Sequence, residues 1–216
     1  MRRNVTSLFA ALILLSFAAG ACAAAADRIA LPEPERAGGP SLLQSLSDRQ
    51  SSRVFADADL TPQQLSNLLW AAAGVNRPDG KRTYPVTMGV QDMDAYVFIR
   101  GGVYKYVPQE NALTLTAQGD HRAESGMQPF VGGAAVNIAY VQDLSAWKPF
   151  PQLAGKAPEI GLVHAGSMAQ NAYLYAAAQG WSAVVRGSFD AAAVAKLLKL
   201  TDAQQVKLIQ SVGPRP

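Results

Sequence analysis

The chain has 216 residues, with 19 basic and 16 acidic side chains and a net charge of +3. Arg2 and Arg3 account for two of those three positive charges. No other Lys/Arg-rich run exists, so the sequence excludes an electrostatic nucleic-acid binder. One cysteine, with His121 and His164 far apart along the chain, gives no disulfide pair and no ligand spacing for zinc; we expect no metal site.

Residues 1–26 have the pattern of a secretory signal peptide. A positively charged start precedes the apolar run "LFAALILLSFAA", and small residues offer a cleavage site after Ala26. We therefore expect a secreted or periplasmic protein. One alternative is a lipoprotein anchored at Cys22, which we favour less because Ala19 stands where such leaders usually carry leucine. Another is export through the twin-arginine route, for which the residues after Arg3 are a weak match.

After the leader, the sequence predicts an arm and one domain. Residues 27–40 include the Pro- and Gly-rich run "LPEPERAGGP", which is typical of an extended arm and not of a packed element. Residues 41–216 are enough for a single domain with a substantial core.

Two helices are predicted first. The leucines in "SLLQSLSDR" (41–49) share one helical stripe. Thr61 can cap the next helix, with Pro62 in its first turn, Gln64 completing a capping box and Gly74 at its end.

The second half of the chain alternates between strand and helix patterns. β-Branched and aromatic runs flank Gly101 and Gly102, which predicts a β-hairpin, and "ALTLTA" (112–117) adds a third strand. We expect a polar helix near 120–127, a buried strand at 134–142, a long buried helix at 159–180, a strand at 181–188, a short helix at 190–198 and a final strand at 204–213. This order predicts an α+β layered domain.

The run "RQSSRVF" (49–55) is a candidate anion site. In an extended segment Arg49, Ser51 and Arg53 would project to one side, and two guanidinium groups with a hydroxyl between them suit a phosphate. On composition alone, two solvated arginines after a helix are the favoured interpretation, because the spacing by itself is a weak signal.

Together with this run, three further stretches make the chain similar to the nitroreductase family of FMN flavoproteins, in which corresponding segments follow one another in the same order. These are "LTPQQLSNLLWAAAGVNR" (60–77), "PVTMGVQDMDAYVFI" (85–99) and "AGSMAQNAYLYAAAQGWSAVVRGSFD" (165–190). The chain resembles most the branch that includes the dehydrogenases of azole-forming (thiazole/oxazole) peptide synthesis. The resemblance covers nearly all of residues 41–216 and implies a central, mostly antiparallel sheet flanked by helices, with FMN bound at a homodimer interface.

The resemblance also implies a set of FMN-binding residues and no certain catalytic side chain, because the flavin carries the chemistry. Arg49 and Ser51 match positions that hold the phosphate and ribityl chain, and Arg53 matches a basic residue near the pyrimidine edge. The remaining candidates are a flavin-side loop, a residue beside the ring carbonyls, a backbone contact to the ring and a C-terminal phosphate contact: Pro85, Thr87, Gly89, Gln91, Gln128, Gly187, Ser188 and Arg215.

Three positions depart from the family pattern. Val86 replaces a usual serine, Gly89 replaces a usual asparagine, and Arg186 adds a charge beside the backbone contact to the flavin ring. On the long helix, His164 is predicted to be a satisfied interior or interface residue, and Tyr173 a packing residue.

The resemblance implies an exported FMN-dependent oxidoreductase that works by ping-pong transfer to or from a small organic substrate. NAD(P)H is one candidate electron donor, and a periplasmic or membrane redox partner is another. The alternatives are a flavin-binding protein of low turnover and an interaction protein that keeps the fold without catalysis.

Overall fold

The computed structural model describes residues 26–216; Cys22 and all of the predicted leader except Ala26 lie outside the described residues. The described chain holds one seven-stranded sheet and four α-helices. The strands are β1 (Arg28–Ala30), β2 (Met93–Ile99), β3 (Gly102–Val107), β4 (Ala112–Gln118), β5 (Val136–Asp143), β6 (Ser182–Arg186) and β7 (Gln204–Gly213). The helices are α1 (Leu42–Asp48), α2 (Pro62–Ala73), α3 (Ala157–Ala178) and α4 (Ala191–Leu197).

The strand order is β1-β4-β3-β2-β5-β7-β6, and every pair is antiparallel. The predicted hairpin and its third strand are confirmed as β2, β3 and β4, which form an antiparallel meander. Gly102 is the first residue of β3 after the turn. The α+β class and the antiparallel sheet are likewise confirmed. Within residues 26–216 no helix is both long and apolar enough to cross a membrane.

The N-terminal arm contains a strand that its composition did not reveal. Arg28–Ala30 pair with β4 and extend the sheet at its edge. Residues 31–40 then cross α2, where Ser66 donates to the Pro32 carbonyl and the Glu35 amide donates to Asn67. The arm therefore packs on the domain through hydrogen bonds, which residue composition does not show.

Helix α2 begins as predicted. The Thr61 hydroxyl accepts from the Gln64 amide, and the Gln64 side chain accepts from the Thr61 amide, which completes the capping box. Pro62 occupies the first turn, and Gly74 ends the helix with its amide on the Trp70 carbonyl. Leu68 and Leu69 are fully buried against the sheet side.

Helix α3 crosses one face of the sheet, and the smaller α4 packs on the other. Ala165, Met168 and Ala172 of α3 are fully buried. The buried face of α3 is confirmed, but in the single chain Leu162 and Val163 on its other side are 50% and 66% exposed. The sheet covers only one side of a helix, and an apolar sequence does not say whether the other side is covered.

The predicted polar helix near 120–127 is also wrong. This segment forms only a 3-10 turn, Arg122–Ser125. Its conformation is held by Arg122, whose guanidinium bonds both Asp120 carboxylate oxygens and the Ala134 carbonyl. These side-chain bonds tie the segment to the start of β5.

Candidate functional site

The 49–54 segment lies along the free edge of β6. The Ser52 amide donates to the Ala183 carbonyl at 2.9 Å, and the Ser182 hydroxyl donates to the Val54 carbonyl at 2.6 Å. These bonds hold the segment alongside β6, and the backbone at Arg49 is extended, as predicted for residues 49–53.

Tyr173 of α3 organises the start of this segment. Its hydroxyl oxygen accepts from the Val185 amide at 2.8 Å, which leaves its proton free to donate to the Ser51 hydroxyl at 2.9 Å. The Arg49 guanidinium stacks 5.5 Å above the Tyr173 ring. The sequence predicts Tyr173 only as a packing residue; its hydroxyl contacts depend on how β6 and residues 49–51 lie against α3.

Arg49 and Arg215 line one cavity of about 510 Å³, although they lie at opposite ends of the domain's sequence. Asp48, which also lines it, uses both carboxylate oxygens to accept from Gln44 at 2.9 Å. Among residues 26–216, no ion pair occupies either arginine. Two guanidinium groups without a carboxylate partner suit an incoming phosphate. Arg53 is exposed farther along the same segment.

The loop at 85–89 approaches α3 at a different point. The Thr87 amide donates to His164 Nε2 at 3.0 Å, and the Thr87 hydroxyl lies 3.2 Å from the same nitrogen. Pro85 is exposed, and Gly89 has a φ of 75°, a left-handed conformation that glycine and asparagine tolerate. His164 is buried and bonded through both ring nitrogens, so its prediction as a satisfied interior residue is confirmed.

Gln91 points away from this loop. Its amide oxygen accepts from Arg82 Nε at 3.0 Å, and its amide nitrogen donates to the Gly80 carbonyl at 3.2 Å. Its side chain therefore holds the turn at 77–82, and the structure does not bring it to the other candidate residues.

Gln128, Gly187 and Ser188 lie together. The Met127 amide donates to the Ser188 carbonyl at 3.4 Å. The Gln128 Oε1 atom is buried and has no hydrogen-bond partner among the described residues, and a Cβ added to Gly187 would meet no atom within 4 Å. The buried oxygen on one segment and the open space over exposed Gly187 on the neighbouring segment suit a ligand that brings its own hydrogen-bonding groups.

Arg186 is a buried cation next to this group. Its guanidinium donates to the Ser125 carbonyl at 2.8 Å, to Asn137 Oδ1 at 2.9 Å and to the Ser211 hydroxyl at 3.2 Å. Burial lowers the pKa of Arg186 to about 10, which leaves it charged at neutral pH. Neutral acceptors therefore hold a fixed positive charge one residue before Gly187.

The candidate residues thus form groups at separate points of one chain. His164 and Tyr173 are nine residues apart on α3, which corresponds to roughly 13.5 Å along the helix axis. The cavity lined by Arg49 and Arg215 does not include the Thr87 loop, which contacts α3 at His164. Among the described residues no group of three or more histidine, cysteine or acidic side chains could hold a metal ion.

Several known proteins are similar to this chain in sequence and fold. A crystal structure of a candidate nitroreductase from Ralstonia eutropha is 38% identical, with a TM-score of 0.82 over 89% of this chain and 91% of that one. A candidate nitroreductase of Methanocaldococcus jannaschii is 26% identical over 73% of this chain and 83% of its own. The Escherichia coli microcin synthetase complex McbBCD, with truncated pro-MccB17 bound, shares the fold at 20% identity and a TM-score of 0.65, over 97% of this chain and 85% of that one.

The sequence model of the Nitroreductase family matches residues 46–214, a span that includes every candidate residue except Arg215. Members of this family are flavin oxidoreductases. The resemblance predicted from the sequence is confirmed, and the chain belongs to the nitroreductase family.

Proposed function

We propose that the protein is an exported FMN-dependent oxidoreductase that acts on a small organic substrate. The observation that carries this proposal is the cavity that Arg49 and Arg215 both line, with neither in an ion pair among residues 26–216, next to the Ser51–Tyr173 hydrogen bond. Export rests on the leader pattern of residues 1–26.

Residues of the chain fit FMN in three places. Arg49 and Arg215 would hold the phosphate, and Ser51 would contact the ribityl chain. The orphaned Gln128 oxygen can accept from an N–H group of the ring, and the backbone at Gly187 has room for a ring to approach. Bound FMN would supply the hydride and electron chemistry, while Arg186 would favour negative charge on the ligand nearby.

A homodimer would complete this site. The arginine cavity and the Thr87 loop lie at separate points along α3, and a second copy packed on α3 would enclose a flavin that spans them. Exposed apolar side chains on α1 and α3 offer the surface for it: Leu42, Leu43, Leu46, Leu162 and Val163. NAD(P)H and a periplasmic or membrane redox partner are both candidate electron donors.

One observation favours a second candidate, a flavin-binding protein of low turnover. Val86 and Gly89 remove two polar side chains that the family pattern places on the flavin-side loop. Reduction of the bound flavin by a donor, followed by reoxidation by a quinone or a nitroaromatic compound, separates an enzyme from a binding protein.

The direct test is a titration of the mature protein with FMN and with riboflavin, followed by the flavin absorbance bands and by fluorescence quenching. We expect FMN to bind and riboflavin, which lacks the phosphate, to bind at least tenfold more weakly. Equal affinities would contradict the phosphate assignment, and no uptake of either flavin would contradict the proposed cofactor.

A further inference from the structure

A buried hydrogen-bond chain links the protein core to the 85–89 loop. Asp92 Oδ1 accepts from His164 Nδ1 at 2.7 Å, and His164 Nε2 accepts from the Thr87 amide at 3.0 Å. Asp92 and His164 are each 2% exposed. The chain therefore runs from a solvent-free carboxylate through an imidazole to the backbone of a surface loop.

Asp92 is held by donors from three other elements. Trp147 Nε1 donates to Asp92 Oδ2 at 2.8 Å, and Gln142 Nε2 donates to the same oxygen at 2.6 Å. Burial alone would raise the pKa of Asp92, but the hydrogen bonds from His164, Trp147 and Gln142 outweigh it and the pKa lies below its ordinary value. The carboxylate is therefore ionised at neutral pH.

This carboxylate sets the tautomer of His164. An ionised Asp92 only accepts, so His164 Nδ1 must carry a proton. The Thr87 amide only donates, so His164 Nε2 must present its lone pair. The two partners together select the neutral imidazole with its proton on Nδ1.

The loop needs such an anchor because its backbone is strained. Met88 follows Thr87 with a φ of 54°, and Gly89 follows with a φ of 75°. A methionine in the left-handed region has a higher free energy than in an ordinary conformation, so neighbouring contacts must hold it there. The Val90 amide closes the turn on the Thr87 carbonyl at 3.0 Å, which makes Thr87 the residue through which the loop is fixed.

We propose that His164 is a positioning residue that holds the 85–89 loop in its strained conformation, and that Asp92 sets the tautomer this requires. The loop is thereby pre-organised before any ligand arrives. Its benefit to flavin binding rests on the proposed function; the effect on the loop itself does not.

The order carboxylate, imidazole, hydroxyl also occurs in hydrolytic triads, in which the imidazole takes a proton from the hydroxyl. Here the backbone amide of Thr87 lies closer to His164 Nε2, at 3.0 Å, than the Thr87 hydroxyl does, at 3.2 Å. The lone pair is thus engaged by a backbone donor, and the imidazole is shielded from solvent. This geometry supports a structural anchor and not a general base.

The first test is nitrogen NMR of histidine-labelled, flavin-free protein at neutral pH. We expect the His164 ring to carry its proton on Nδ1 and to show an unprotonated, hydrogen-bonded Nε2. A proton on Nε2 would overturn the proposal, because that nitrogen could not then accept from Thr87.

The second test is amide hydrogen exchange of the flavin-free protein. In His164→Phe we expect the Thr87 and Val90 amides to exchange at least tenfold faster, while amides of β5 exchange as in the wild type. Thr87→Val is the matched control: it keeps the backbone donor and removes only the hydroxyl, so the loop should stay protected. Unchanged protection in His164→Phe, or equal loss in Thr87→Val, would overturn the proposal.

Flavin titration then separates this inference from the proposed function. If the wild type binds flavins, His164→Phe should raise the Kd for FMN and the Kd for riboflavin by the same factor, about tenfold. The reason is that the loop would face the ring and not the phosphate. A loss confined to FMN would overturn this role of the loop. If the wild type binds no flavin, the proposed cofactor fails, whereas the exchange result still decides the anchor.

Discussion

Replacing Arg49 by alanine should remove one of two arginines from the cavity proposed to hold the FMN phosphate. A hydrogen bond to a charged group contributes about 1.5–3 kcal/mol, which corresponds to roughly a 10- to 150-fold rise in the Kd for FMN. Arg215 remains in the cavity, so we expect weakened binding and not a complete loss. The stacking of Arg49 on Tyr173 contributes only about 0.5–1 kcal/mol to folding, so the variant should remain folded.

The assay compares the Kd for FMN with the Kd for riboflavin in each variant. The Arg49→Ala variant should lose most of the preference for FMN while its Kd for riboflavin changes by less than about threefold. The preference of the Arg49→Lys variant for FMN should lie between those of the wild type and Arg49→Ala, because an ammonium group keeps the charge but not the paired donors. Arg36→Ala removes an exposed arginine paired with Glu33 outside this cavity and serves as the control for net charge.

Two outcomes would refute this reasoning. An Arg49→Ala variant that keeps its full preference for FMN would show that Arg49 does not contact the phosphate. An equal loss of FMN and riboflavin affinity would mean that Arg49 acts through Tyr173 and the shape of the site, and not through a phosphate contact.

Three further predictions concern stability and assembly. Gly161→Ala should lower the free energy of unfolding by about 1–3 kcal/mol in urea, although alanine favours helices, because its Cβ would overlap the buried amide of Gln142; unchanged stability would show that Gln142 relaxes freely. The pKa of Asp92 is lowered on folding, so its contribution to stability should be complete above the ordinary value of 3.8 and be lost as the pH falls from 3.8 toward the lower pKa of the folded state. Urea unfolding of Asp92→Asn between pH 3 and 6 should therefore show a flatter decline than the wild type, and parallel curves would contradict this. Leu43→Glu should shift the protein from dimer to monomer in light scattering, whereas Gln118→Glu, an exposed control on β4, should not; a wild-type monomer would refute the dimer.

Much of the local structure follows from the sequence because its causes are local. The capping box of α2 needs only Thr61 and Gln64, three residues apart. The meander follows from two glycines between β-branched and aromatic runs. The predicted extended conformation of residues 49–53 also agrees with the structure, in which the segment bonds along the edge of β6.

The tertiary structure alone decided which distant residues meet. Arg215 reaches Arg49 because β7 leads the C-terminus back toward the edge of β6, where residues 49–54 run. Asp92 meets His164 because the start of β2 and the buried face of α3 pack together, which no sequence spacing encodes. Which apolar residues are buried also depends on the tertiary structure. Val163 favours the same helical pattern whether its face contacts a sheet, a second chain or solvent, and only the packing shows that it is exposed in the single chain.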